Sequence, residues 1–333
     1  MSRDDGWLLR LWAVAAAFLA IGIARSIAVG IPFRDPGGEY LTVKIAISAG
    51  VFVAQAVVDG VRRTSRARRR SPAAVLATLR SRWPRGRLLR AAAVLLAYHL
   101  VYFTYHNLKS WDVLLTPRDS TLSAVDRWLF LGHAPAVLLH DLLGQGVAAW
   151  VLIAIYESFP TLVTVAVVAV VVFPETVRDG AVGIAALCWT WILGTATYYL
   201  VPSLGPFHDR PQDFAGLPHS IVTDTQARYL AQRAHLLADP GAHDAFAQVS
   251  AFASLHVGMT TLLLLLASYY RLRRLTVALA IYLAGTVVAT VYLGWHFAVD
   301  DVAGVVIAVA GFHLGRLTIG RRARAPQESM MVP

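Results

Sequence analysis

Apolar residues in this chain come in blocks. Runs of about twenty apolar positions, the length that spans a hydrocarbon layer about 30 Å thick, recur along it. They fall at 8–31, 41–61, 89–108, 147–173, 181–201, 251–270, 275–294 and 301–319. The pattern predicts an all-α integral membrane protein of about eight spans. The first run could be taken for a signal sequence, but its length, Arg25 and the want of a cleavage site predict a retained span.

The polar stretches between the blocks fix an orientation. Residues 62–90 hold eleven arginines and no acid, and "RLRR" (271–274) and "GRRAR" (320–324) repeat the theme. The excess of positive charge predicts that these segments are cytoplasmic. With eight spans and a cytoplasmic N-terminus, all three clusters fall on that side. The opposite face receives 32–40, 109–146, 202–250 and the short turn at 295–300. Within 109–146, "LSAVDRWLFLGHAPAVLLHDLL" carries apolar residues at helical spacing and predicts an amphipathic helix lying in the outer interface. Within 202–250, "DTQARYLAQRAHLLAD" predicts a partly helical lid with Tyr229, Leu230, Ala234 and Leu237 on one side. The chain thus divides into two N-terminal spans (1–61), a basic cytoplasmic loop (62–90), a six-span core (91–319) and a cytoplasmic tail (320–333).

Composition sharpens this picture. Of 333 residues 57% are hydrophobic and only 15% charged, against about 25% in an ordinary soluble domain. Mean hydropathy is +0.56. The net charge of +10 is carried almost wholly by arginine, since Lys44 and Lys109 are the only lysines. Because that charge sits in short loops between spans, it speaks for topology and against a nucleic-acid partner. Cys188 is the only cysteine, which excludes an intrachain disulfide and a thiolate metal cluster.

Polar residues in or beside a span are functional-site candidates. Three polar motifs converge on the face opposite the arginines: "YYLVPSLGPFHDRP" (198–211), "SAFASLHVGMTT" (250–261) and "YLGWHFAVDD" (292–301). His296 and Asp300 are four positions apart, which on a helix places them on one side. A carboxylate there fixes the imidazole tautomer and stabilises the imidazolium. His256, preceded by Ser254, opens another helix at the same level, where free N–H groups and a hydroxyl suit an anion. Gly205 in the "PSLGP" turn can expose backbone amides, and Arg210 offers a fork for phosphate oxygens. Two histidines, an orienting carboxylate and an oxyanion shell suit phosphoryl transfer through a phosphohistidine. Asp301 is expected to face away from His296 and to cap the eighth span.

The order "PSLGPFHDRP", "FASLHVG", "YLGWHFAVDDVAG" resembles the three signatures of the type 2 phosphatidic acid phosphatase superfamily. The Ser-Leu-His and Tyr-Leu-x-x-His-x-x-x-Asp spellings look most like its inositol phosphorylceramide synthase branch. Residues 100–319 carry the likeness, with "DSTLSAVDRWLFLGHAP" (119–135) similar to the family's approach to its core. Two departures stand out. Ala289 and Thr290 occupy the Ser-Arg places of the superfamily's phosphatases, and Ser203 stands where the first motif has lysine. The resemblance implies a six-helix core in which His296 is the nucleophile, Asp300 orients it, and His256 serves as acid and then base. Ser254 and Arg210 would hold phosphate oxygens, and neither metal nor cofactor is implied. A membrane phospholipid would be the donor and a lipid or alcohol the acceptor, at the extracytoplasmic face of the cell membrane.

Other polar residues stay open at this stage. Glu157 lies about ten residues into the fourth span, roughly 15 Å deep; it would either meet a polar head group or close a helix contact. Lys109 would either meet phosphate or act as a snorkelling anchor. His208 is a further substrate-contact candidate beside Arg210, while His99, His106 and His313 receive no role. The competing function with the same site is a phosphatase using water. A transporter would need mid-membrane charges and repeats, which this chain lacks apart from Glu157.

Overall fold

A computed structural model describes residues 5–66 and 71–320; the end of the first arginine run and the tail from 321, with most of the "GRRAR" cluster, lie outside the described residues. Thirteen α-helices follow in order: α1 (Gly6–Val29), α2 (Thr42–Arg63), α3 (Pro72–Arg82), α4 (Arg85–Trp111), α5 (Asp119–Leu129), α6 (Pro135–Leu143), α7 (Val147–Val172), α8 (Val177–Leu200), α9 (Pro206–Asp209), α10 (Ile221–Ala238), α11 (Leu255–Tyr269), α12 (Arg273–Tyr292) and α13 (Ala298–Ile319). Seven of them (α1, α2, α4, α7, α8, α12 and α13) are long and apolar enough to cross a membrane. The eighth apolar helix, α11, has 15 residues.

The brevity of α11 has a local cause. The expected sixth span began at 251, but residues 245–254 form a non-helical segment that dips into the bundle, with Ala247, Ala253 and Ser254 fully buried. Backbone buried at membrane depth must find its partners inside the protein. Ser110 Oγ accepts from Ala247 N (3.0 Å), Ser203 O from Ala251 N (2.9 Å) and Ser203 Oγ from Phe252 N (2.8 Å). Thr197 Oγ1 accepts from Ala253 N (2.9 Å), and Asp300 O from Ser254 N (3.0 Å). Short hydroxyls on three neighbouring elements thus stand in for the missing helical turn.

At the centre, α8 and α13 form the most extensive helix pair, and α11 packs against both. Small residues allow the approach. A Cβ at Gly315 would meet Ala186 N at 2.4 Å, and one at Gly304 would meet Ser254 O at 2.4 Å. Gly304 lies one turn beyond Asp300, so this contact seats the start of α11 directly against the start of α13.

The two ends of the bundle differ. At one end, the turn joining α7 to α8 is gripped by arginines of the basic segment. Asp59 is 4% exposed and pairs with Arg63 (2.9 Å) and Arg82 (3.2 Å). Arg82 and Arg87 donate to the Pro174 carbonyl at 2.6 and 3.0 Å. The basic "loop" is thus largely helix, because α3 forms within it and α4 starts at Arg85. The other end gathers α5, α6, α9, α10 and the 245–254 segment. Two short helices replace the single amphipathic one expected in 109–146, and Trp128, Leu131 and Leu142 project from them, each more than three-quarters exposed.

Candidate active site

α5 is a short helix with two buried acids seven residues apart, hence on one face. Each clamps a different motif. The Asp119 carboxylate accepts from Leu204 N (2.9 Å) and Gly205 N (2.9 Å), fixing the "PSLGP" turn. Asp126 accepts from Ala298 N (2.7 Å) and Val299 N (3.0 Å), the first free N–H groups of α13. Burial holds both carboxyls above the usual carboxylate range, against the opposing pull of those N–H groups. Nothing in the spelling of α5 announced these roles; the signal available was the seven-residue spacing.

His296 and Asp300 come together, but not on one helix. Gly294 (φ 78°) turns the chain after α12, and His296 precedes the Phe297 cap of α13. His296 Nδ1 lies 3.5 Å from Asp300 Oδ2, which also accepts from Phe297 N at 3.0 Å. The carboxylate faces the ring at contact distance, beyond a formed hydrogen bond. Burial pushes the His296 imidazole down to about 4, opposed by the nearby Asp301 carboxylate. Asp301 departs from its expected role: it is 5% exposed, caps nothing, and accepts from Thr290 Oγ1 at 2.9 Å. Thr290, in the place of the phosphatases' arginine, is turned inward and ties α12 to α13.

His256 enters from α11, whose cap is Ser254: its Oγ accepts from Val257 N at 3.4 Å. The two imidazole centroids are 5.9 Å apart. Tyr156 and Phe159 of α7 each lie 4.2 Å from the His256 ring, and Trp295 stacks on Tyr156 at 5.6 Å. In front of His256 opens a cavity of about 350 Å³ between α2, α4, α7 and α10. Pro160 lies inside α7 along its wall, one turn past Tyr156. Lys109 and Glu157 both line the cavity, with Lys109 Nζ 5.8 Å from the Tyr198 ring centroid. Arg228 and Tyr229 of α10 close it from above. The lid face is rotated from the expected one: Val222 and Leu236 are buried with Tyr229 half-buried, whereas Leu237 is 41% exposed.

The first-motif residues do not line this cavity. Ser203 holds the 251–252 backbone. Gly205 has φ 108° and lies so close to Trp295 that a Cβ would meet its carbonyl oxygen at 2.6 Å; its own amide is taken by Asp119 rather than facing phosphate. His208 is exposed. Arg210 pairs with Asp213 at 3.0 Å and lines a second, small pocket of about 30 Å³ that reaches His296 from the side of α5. Among the described residues no group of three or more His, Cys, Asp or Glu side chains is arranged to hold a metal ion.

A family model described as "PAP2 superfamily" matches residues 120–314, more than half of the chain. The chain belongs to the PAP2 superfamily. No curated protein and no solved structure matches it. Membership of this superfamily of type 2 phosphatidic acid phosphatases supports a phosphatase or phosphotransferase activity. The PAP2 match takes in all of α5 but its first residue, α6 to α12, most of α13 and all three motifs; Asp126 lies inside it and Asp119 one residue before it. It stops short of α1, α2 and α4. The cavity wall supplied by Lys44, His99, His106 and Lys109 therefore comes from outside the matched region.

Proposed function

We propose that this protein is a phosphotransferase that moves a phospho-head group from a membrane phospholipid to a lipid or alcohol acceptor, through a phosphohistidine on His296. The unprotonated His296 attacks phosphorus through its ring nitrogen remote from Asp300. The bond from phosphorus to the donor's leaving oxygen breaks, and His256 gives that oxygen its proton. An acceptor hydroxyl then loses its proton to His256 and attacks the phosphohistidine, breaking the P–N bond and restoring both histidines. Asp300 orients the nucleophile and balances the charge it gains. Lys109, on the cavity wall within electrostatic reach of both histidines, supplies a cation that the departed first- and third-motif residues do not. Ser254 and Arg210 are further phosphate-oxygen contacts in this reading, and Glu157 and His208 flank the substrate.

One observation carries the choice of transfer over hydrolysis. His256, the acid and base of this reading, faces an aromatic cavity roofed by α10 that is large enough to hold an alcohol acceptor beside it. Inositol phosphate from phosphatidylinositol is the specific form suggested by the spelling of the motifs. Water as acceptor has one observation in its favour, the small pocket at His296, which is large enough for a water molecule. The placement we infer has the arginine-rich end in the cytoplasm with both termini, and the catalytic end at the extracytoplasmic face of the cell membrane.

The test is label transfer from head-group-labelled phosphatidylinositol by purified protein in detergent, with and without a lipid alcohol extract. Label in a new lipid, absent with His296→Ala, is the expected result. Soluble phosphate released without acceptor, also lost in that variant, would make the enzyme a phosphatase. Turnover unchanged by His296→Ala would overturn the site.

A further inference from the structure

The part of the cavity farthest from the matched region has chemistry that the catalytic reading does not use. His99 and His106 lie seven residues apart on α4, on one face and about 10 Å apart along its axis. They are 3% and 8% exposed, and both line the cavity. Each ring is fixed through one nitrogen. His99 Nε2 lies 3.1 Å from the Lys44 carbonyl, so that nitrogen carries the proton. His106 Nδ1 lies 2.8 Å from Gln248 Oε1; the Gln248 amide nitrogen donates to Ala247 O at 2.9 Å, which fixes the amide's orientation and puts the His106 proton on Nδ1. The other nitrogens, His99 Nδ1 and His106 Nε2, are buried and have no hydrogen-bond partner among the described residues.

Two buried, unpartnered acceptors are an expensive arrangement unless something donates to them. A phosphodiester or carboxylate anion offers only acceptors, so the match is to hydroxyl groups. Anion recognition is present beside them. Lys44 and Lys109 line the same cavity; Lys109 also feels the charge of the buried Asp112, and Lys44 forms no ion pair among the described residues. Lys109 is one turn from His106 on α4. The Tyr40 ring packs against His106 at 4.2 Å with a 33° tilt, leaving the free nitrogen unoccupied.

We propose that α2 and α4 build a second, non-catalytic subsite for the hydroxyl groups of a polyhydroxylated phosphate ester, with His99 and His106 accepting from it and Lys44 and Lys109 facing its anion. This rests on the reading that the cavity holds the phosphate-bearing substrate. It assigns a task to the N-terminal helices: they select the head group, while the matched helices carry out the chemistry. The seven-residue spacing of the two histidines along α4 suits a ligand longer than a bare phosphate.

The test is calorimetric titration of the full chain in detergent with inorganic phosphate, glycerol 1-phosphate and inositol 1-phosphate. A parallel arm compares phosphatidylinositol with phosphatidic acid in mixed micelles. Inositol 1-phosphate is expected to bind about tenfold tighter than inorganic phosphate, in line with two added hydrogen bonds. In the double variant His99→Phe, His106→Phe, which keeps the ring volume, that preference should shrink to within about twofold while phosphate binding persists. His106→Gln, which keeps an acceptor, should recover part of it. A preference seen only in micelles would assign the subsite to a lipid head group, and one seen in both arms would include the free ester. Equal binding of all ligands by the wild-type protein in both arms would overturn the proposal without any variant. So would a preference that survives the double substitution, since the histidines would then hold only buried water. Running the titrations on His296→Ala protein separates this from the catalytic reading: binding preference without turnover in the wild type would sink the transferase and leave the subsite standing.

Discussion

The two histidines of the site are 5.9 Å apart and live in opposite surroundings. His296 rests on a polar frame. Asp300 faces it, Asp126 caps the helix behind it, and Asp301 locks Thr290 beside it. His256 rests against aromatic rings at the mouth of a cavity. Hydrogen bonds of that frame fix the start of α13 and the end of α12 on either side of the ring, while Asp300 faces the ring at 3.5 Å. A wall of rings and a few unpaired polar atoms defines a shape and a chemistry to be matched, which is the requirement for choosing a substrate. The same division separates the matched helices from α1, α2 and α4.

The sharpest way to break this contrast is on the polar side. His296→Ala should lower turnover by about 10⁴-fold or more, as removal of a nucleophile does elsewhere; an assay of label transfer reads it directly. The burial that pushes His296 down to about 4 leaves it unprotonated at neutral pH. Protonation removes the attacking lone pair, so kcat/KM should fall on the acid side only as pH drops through about 4, roughly tenfold per unit below it. An acid limb near 6.5 would mean that the nucleophile is not this buried ring. Asp126→Asn should reduce kcat about thirtyfold with KM within about twofold, because a buried N–H left without its acceptor costs about 1–3 kcal/mol and loosens the start of α13. An equal change in both constants would place Asp126 in substrate binding instead.

On the cavity side the effects should be smaller and of another kind. Lys109→Met is expected to raise KM about tenfold with little change in kcat, the loss of a charged contact made in ground and transition states alike. The far end of the bundle supplies the contrast for both. Arg82→Ala removes a partner of Asp59 and of Pro174 O, so it should lower thermal stability by about 1–2 kcal/mol in a melting experiment and leave kcat/KM within twofold. Loss of activity matching that of Lys109→Met would show that the two ends are coupled.

Much of the site was legible before any coordinates. Blocks of twenty apolar residues gave the helices to within a few positions, because a bilayer demands length and composition and little else. The motifs gave His256, His296 and Asp300, and the structure brings these three together. The parts that escaped share one feature: their meaning lies in contacts between residues distant in sequence. Asp119 and Asp126 matter through N–H groups some 85 and 172 positions away. Ser203 and Gly205 sat inside a recognised motif, and yet their polar groups turn to the backbone and to Asp119. Lys109, left open between phosphate contact and membrane anchor, lines the cavity.

Taken alone, then, the sequence determined the apolar spans, the superfamily and a candidate trio, since each is written in local composition or in closely spaced residues. Tertiary structure alone decided which carboxylates clamp the motifs, where the cations lie and which residues wall the cavity. Those properties depend on which buried polar groups find partners across the bundle and which are left facing open space, and hydrogen-bond partnership in a packed interior is not encoded by neighbours along the chain.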